Sequence, residues 1–246
     1  MTSPPALGNG SRLDFNSPLS EDRAARLVTS LAAPSPATIL DLGCGWAELL
    51  LRLLAAAPVA TGTGVEVHGP DLARARTNAA ARKLADRVSF VEGPAESHPD
   101  PADVVISIGA FHAFGTVAEA LKALHSRVNP GGRLLFGAEF WERPPPADRL
   151  AGMWPGASLD DCTDLAGLVD QAIVAGFRPL QVQTASTAEW EDFESGLAAD
   201  VEEWLASHPA HPEAATVREK LDAQRGMWLR GHRGFLGFAY LTLAVS

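Results

Sequence analysis

Residues 37–50, Ala-Thr-Ile-Leu-Asp-Leu-Gly-Cys-Gly-Trp-Ala-Glu-Leu-Leu, constrain this chain more than any other stretch. Ile39 and Leu40 read as part of a buried strand, which Asp41 closes. Gly43 and Gly45 follow, and then an apolar helix begins. Glycines at a strand-to-helix turn let the backbone approach a ligand closely, because no Cβ stands in the way. A carboxylate just ahead of them is a poor neighbour for a phosphate and a good one for a cationic ligand carrying hydroxyls and an amino group. A dinucleotide-binding turn needs a third glycine three residues after the second. That position is Glu48, whose carboxylate would lie near the pyrophosphate, so the dinucleotide reading fails.

A second acid supports a nucleoside-like ligand. The run Gly64-Val65-Glu66-Val67 reads as another buried strand ending in an acid, 23 residues beyond Gly43. That separation leaves room for one helix and a return strand. In nucleotide-binding α/β folds an acid at this place accepts hydrogen bonds from ribose hydroxyls.

With these residues in view the chain resembles the class I S-adenosylmethionine (SAM)-dependent methyltransferases. Asp41-Leu42-Gly43-Cys44-Gly45 is similar to the first motif of that family, with Ala47 where a third glycine often stands. The resemblance runs through Val104-Val105-Ile106-Ser107 and the stretch from Asn129-Pro130-Gly131-Gly132 to Leu135. It implies a Rossmann-like, doubly wound, mostly parallel seven-stranded sheet. It also implies that SAM is held by Asp41, Gly43, Cys44, Gly45, Glu66 and Val67, with Ile108 at the end of the fourth strand. After the third strand, either the side chain of Glu96 or the backbone of Pro94 and Ala95 would read the adenine amino group.

Size and charge agree. The 246 residues, 46% of them hydrophobic, suffice for one α/β domain with embellishments. A net charge of −10 without any Lys/Arg block argues against a nucleic-acid partner. The two cysteines, Cys44 and Cys162, form neither a disulfide framework nor a zinc pattern. With no signal segment and no apolar run long enough to span a bilayer, a soluble cytoplasmic protein is expected.

Periodicity and breakers place helices over 21–33, 46–56, 71–84, 115–127 and 163–175. They place strands over 38–42, 63–67, 87–91, 103–108, 133–138 and 179–184. Strict alternation predicts a parallel sheet covered on both faces. Residues 1–18 should be a loop or mobile arm, residues 147–162 irregular, and Phe235–Val245 the last strand. Before that strand two helices are expected, over 188–206 and 211–230. They leave the carboxyl edge of the sheet, so they should cap an acceptor site within a single domain.

Methyl transfer from a sulfonium is an in-line displacement that rests largely on positioning. His112, in the loop after the fourth strand, is the leading general base, and simple proximity is the alternative. Glu139 or Glu142 would face the acceptor, the other being solvated or paired with Arg143. Trp141 would wall the pocket, and Asp14 and Phe15 would close over the cofactor. Trp190, Phe193, Trp204 and Trp228 in the insertion suggest a planar or apolar small-molecule acceptor. Arg230, His232 and Arg233 are candidates for an acceptor carboxylate. His208 and His211 lack metal-ligand spacing, and no metal is assigned. A homodimer is left open. Two rival readings remain: a SAM-binding protein with other chemistry, and a non-catalytic partner of the same fold.

Overall fold

The computed structural model describes residues 3–245; Met1 and Thr2 of the arm and the final Ser246 lie outside the described residues. The chain packs as two compact units. The first comprises Ser20–Phe140, Leu165–Thr184 and the chain from Phe238 onward. The second comprises the arm up to Leu19, Trp141–Asp164 and Ala185–Gly237.

A seven-stranded sheet forms the frame: β1 (Thr38–Leu42), β2 (Thr61–Glu66), β3 (Val88–Glu92), β4 (Ala102–Ile108), β5 (Val128–Trp141), β6 (Arg178–Thr184) and β7 (Leu236–Ala244). Their order is β3-β2-β1-β4-β5-β7-β6. β1 pairs in parallel with β2 and β4, β2 with β3, and β4 with β5. β7 runs antiparallel to β6. The doubly wound Rossmann-like sheet expected from the sequence is therefore observed. β1 and β4 are nearly continuous apolar runs because both of their faces are covered. The order reverses between β1 and β4, where open α/β sheets bind ligands beyond the strands' carboxyl ends.

Local chemistry sets the helix ends. Ser20 caps α1 (Glu21–Ala32) by accepting from Arg23 N–H. α2 (Glu48–Ala56) starts two residues later than periodicity suggests, because Gly45 (φ 51°) and Ala47 (φ 59°) hold a left-handed turn in front of it. α3 (Gly69–Ala81) stops before Lys83, which has φ 59°. α4 (Val117–His125) begins at a reciprocal cap in which Thr116 and Glu119 satisfy each other's backbone N–H. A short 3₁₀ turn, Phe111–Phe114, precedes that cap, with Gly115 between them. β5 begins earlier and ends later than expected, with a register shift opposite Ala102 and Val104. α6 (Leu165–Val174) leads through Gly176 into β6.

In the second unit, α5 (Ala147–Leu150) is one turn inside the stretch expected to be irregular. α7 (Thr187–Ser207) is capped by Ser186 with Glu189. α8 (Ala214–Gly226) is shorter than expected, because residues 211–213 form a turn and Met227–His232 widens into a π-helical turn. The amino-terminal arm, expected to be mobile, is fastened along α7. Asn9 Nδ2 donates to Asp200 at 2.7 Å, Ser11 Oγ to the same carboxylate at 2.9 Å, and Arg12 pairs with Glu203. Among the described residues no helix is long and apolar enough to cross a membrane.

Candidate cofactor and active site

The carboxyl ends of β1, β2, β3, β4 and β5 carry the residues singled out above. Gly43 has φ 79°, and a Cβ there would come within 2.4 Å of the Cβ of Ala110 in the loop after β4. Only glycine meets both demands, so the turn after β1 lies hard against the β4 loop. Gly43 N–H and Cys44 N–H both donate to the Val65 carbonyl, at 2.9 and 3.0 Å. The turn is thus tied to β2, next to Glu66.

Glu66 holds three backbone donors. Gly45 N–H lies 3.0 Å from Oε2, while Val67 N–H and His68 N–H lie 2.8 and 3.0 Å from Oε1. Each carboxylate oxygen has more than one lone pair, so capacity remains for hydroxyl donors. Val67 itself is 65% exposed, just past the end of β2.

Asp41 is only 4% exposed. Burial, and then the charge of Glu66, push its carboxyl up to about 8. The same burial, with Asp41 and Glu66 next in effect, drives the Cys44 thiol up, so Cys44 stays protonated and is no nucleophile. Two neighbouring carboxyls, one buried, form an unfavourable arrangement on their own. A cation relieves it. A sulfonium or ammonium beside the glycine turn supplies that charge, and the positive-φ turn gives it room, so these residues fit SAM.

The stretch after β3 is positioned by a residue that sequence reasoning passed over. Arg127 donates from Nε to the His98 carbonyl at 2.8 Å and from Nη2 to the Glu96 carbonyl at 2.6 Å. It also reaches the Ala123 carbonyl at the end of α4, and its guanidinium lies 5.6 Å from the Phe114 ring centroid. The 94–98 segment is therefore fixed by its own backbone. Ala95 is buried, while the Glu96 side chain is exposed and its carbonyl is what Arg127 holds. The basic residue directly after a helix C-terminus was the available signal.

Glu48 corrects one argument. Its carboxylate does not face the turn but accepts from Arg82 Nη2 at 2.7 Å and Arg52 Nε at 2.7 Å, and Arg52 also pairs with Glu21. The position that admits close packing through glycine in a dinucleotide fold is here an ion-paired strut between α2 and α3.

His112 sits in the 3₁₀ turn after β4, exposed, with its ring 3.8 Å from that of Phe111. Ile108 is half-buried at the end of β4. Glu139, near the end of the adjacent strand β5, is half-buried, and its carboxyl is raised by desolvation against the lowering effects of its own backbone N–H and of His112. The two candidate catalytic residues therefore lie within electrostatic reach of each other.

The second unit distributes its aromatic residues differently from expectation. Trp141 is buried, stacks parallel to Trp154 at 6.4 Å, and donates from Nε1 to the Leu159 carbonyl at 3.0 Å. It belongs to an apolar cluster with Met153, Phe235 and Leu236 rather than standing as an open wall. Trp204 belongs to the core between α7 and α8 and stacks on His208. Phe15 is buried as well. Trp190 and Trp228 do line a cavity. Arg143 donates to the Gly234 carbonyl and lies over Phe235. The expected carboxylate-binding cations are already engaged: Arg233 pairs with Glu191, and His232 Nε2 lies 2.7 Å from Glu194 Oε1. Among the described residues no group of three or more His, Cys, Asp or Glu side chains is arranged to hold a metal ion.

The sheet order and the carboxylate–glycine turn are similar to those of class I SAM-dependent methyltransferases. Comparison with known proteins agrees. Residues 40–134 match the methyltransferase domain family model. A SAM-dependent methyltransferase of Geobacter sulfurreducens, crystallised with S-adenosyl-L-homocysteine, superposes with a TM-score of 0.86 at 26% identity, over 97% of this chain and 96% of that one. The Escherichia coli protein YjhP is 26% identical over 231 residues, 93% of each chain. The demethylmenaquinone methyltransferase of Thermus thermophilus is 36% identical over 129 residues, 52% of this chain and 57% of that relative's length. These likenesses support a methyltransferase that uses S-adenosyl-L-methionine as its methyl donor.

Proposed function

We propose that the chain methylates a small-molecule acceptor, that His112 and Glu139 handle the acceptor's proton, and that the 185–237 insertion recognises the acceptor. When bound, SAM supplies an electrophilic methyl group on a sulfonium. Asp41 and Glu66 supply the opposing negative charge and hydrogen-bond acceptors. Arg127 holds the 94–98 backbone for the adenine, with Pro94, Ala95 and Glu96 along it. Cys44, Val67 and Ile108 border the same strand ends.

The observation that carries this reading is the electrostatic coupling of Asp41 on β1 to Glu66 at the end of β2, with His112 in the turn after β4 and Glu139 on β5, on the far side of the switch point. His112 is exposed and so free to accept a proton, and Glu139 can take up or orient it. Trp190 and Trp228 support acceptor recognition by the insertion, whose first helix, α7, starts after a two-residue link from β6.

The test is a mass-spectrometric screen for S-adenosylhomocysteine and methylated product, with SAM and a panel of phenols, amines, thiols and carboxylic acids. S-adenosylhomocysteine formation that depends on one class, and that drops strongly in His112→Ala, is the expected result. Turnover unchanged in both His112→Ala and Glu139→Gln would leave positioning alone as the mechanism.

A further inference from the structure

The unit containing Trp141–Asp164 and Ala185–Gly237 has a cavity of its own, about 180 Å³ in volume. Its walls include Glu142, Trp190, Glu191, Trp228, His232 and Arg233. At ~30 Å³ per water molecule this is room for about six waters, enough for an alkylammonium head group.

The charge balance of the cavity selects the ligand. Arg233 is spent on Glu191. His232 is bonded through Nε2 to Glu194 of α7. Glu142 is exposed, its backbone N–H donates to the Phe235 carbonyl, and among the described residues its carboxylate has no basic partner. Two indole rings beside an uncompensated carboxylate attract an organic cation and repel an anion. Trp228 stands in the π-helical turn Met227–His232, a local widening that re-aims side chains and recurs at functional sites. His232 occupies the last residue of the same turn, and its Nδ1 is buried without a hydrogen-bond partner among the described residues. The turn therefore carries Trp228 and His232 into the cavity wall while α7 carries Trp190 and Glu191.

We infer that this cavity binds an organic ammonium group through Glu142, Trp190 and Trp228. Resting on the reading that the insertion recognises the acceptor, the acceptor is then an amine-bearing small molecule.

The test uses the full chain, titrated with choline and with its neutral isostere 3,3-dimethylbutan-1-ol. Binding is followed by intrinsic tryptophan fluorescence and by ligand-observed NMR. Choline should bind at least tenfold more tightly than the alcohol. Glu142→Gln should weaken choline at least fivefold and leave the alcohol and SAM unchanged. Trp190→Leu should weaken choline as well, and circular dichroism checks that the variant is folded. Equal binding of the two probes, or saturation by neither, overturns the assignment. The two readings fail separately. Selective choline binding without methylation of any amine in the screen keeps the cavity and removes the amine acceptor. Amine methylation with a KM unmoved by Glu142→Gln and Trp190→Leu keeps the methyltransferase reading and overturns this cavity as its acceptor site.

Discussion

Gly45 N–H donates to Glu66 Oε2 at 3.0 Å, so the glycine turn of β1 and the acid at the end of β2 are one hydrogen-bonded unit. The acid proposed to accept ribose hydroxyls also shapes the glycine turn after β1. Glu66→Ala removes three backbone partners as well as the ribose acceptor. SAM affinity should fall by about 1–3 kcal/mol, the scale of losing hydrogen bonds to a charged group. Glu66→Gln keeps an acceptor and should lose less. Calorimetry giving the same affinity for Ala and wild type would remove Glu66 from the site.

Asp41 sets a proton linkage. With its carboxyl near 8 in the free protein, it holds a proton at pH 7. A bound cation favours the charged form and expels that proton. SAM binding at pH 6–7 should therefore release close to one proton, and at pH 9 almost none. Calorimetry in buffers of different ionisation enthalpy reads this directly, and Asp41→Asn should abolish it. The same carboxyl has its folded-state pKa above the unfolded value of 3.8, so the unfolded chain binds fewer protons between the two. Stability of the cofactor-free protein should decline as pH rises from about 4 to about 8, and Asp41→Asn should flatten that decline. Buffer-independent binding enthalpies would show that Asp41 is already ionised.

The turn in front of α2 offers a test by stability alone. Ala47 holds φ 59°, which costs an L-residue about 1–2 kcal/mol, against about 0.5–1 kcal/mol of extra chain entropy for glycine. The difference favours glycine by about 0–1.5 kcal/mol, so Ala47→Gly should hold or raise stability in urea unfolding. Gly43→Ala should do the reverse and more, because strain is joined by the clash with Ala110. Pairing it with Ala110→Gly should recover the steric part only.

How much of this was legible in the sequence follows from range. The doubly wound parallel sheet, the Asp41–Gly45 turn and the strand that ends at Glu66 were legible because each rests on local pattern plus the topology that alternating strands and helices enforce. The start of α2 was not, because nothing in an Ala residue announces a left-handed backbone; the neighbouring Gly45 and the packing of the turn impose it. The role of Arg127 depends on carbonyls at residues 96 and 98, some 30 positions away, and no periodicity encodes that. The π-helical turn at 227–232 and the docking of the 3–19 arm on α7 are likewise settled by tertiary contacts between polar side chains. The packing of Trp141 was hidden for a related reason: an aromatic residue at the end of a strand looks alike whether it faces a ligand or, as here, stacks on Trp154.

His112 and Glu139 give a kinetic prediction. If His112 takes the acceptor's proton, His112→Ala should lower kcat by ~100-fold or more while SAM affinity stays within a factor of two. The charge of His112 lowers the Glu139 carboxyl, so its removal should raise that carboxyl further above the ordinary range. Carboxyl NMR of the variant should show Glu139 titrating at higher pH than in wild type. An unmoved Glu139 titration would separate the two residues, and an unmoved kcat would make the reaction one of positioning.

Trp204 on α7 and Trp228 in the π-helical turn after α8 should respond in opposite ways. Trp204 is 7% exposed in the core between α7 and α8, packed with Val201, Leu205 and Leu221 and stacked on His208. Its replacement by Ala leaves a cavity and should cost about 3–5 kcal/mol. Trp228 is half-buried and lines the cavity beside Trp190. Its replacement removes less packing and should cost clearly less, about 1 kcal/mol for partial burial of an aromatic ring. Urea unfolding of the two variants gives the stability half of the comparison. Steady-state kinetics gives the other half: Trp228→Ala should raise the acceptor KM with the SAM KM unchanged, because the residues proposed to hold SAM, Asp41, Gly43, Gly45 and Glu66, belong to the other unit. Trp204→Ala should leave both constants near wild type in the fraction that remains folded. If Trp228→Ala instead destabilises as much as Trp204→Ala, with neither KM moving, Trp228 is a packing residue and the acceptor is recognised elsewhere.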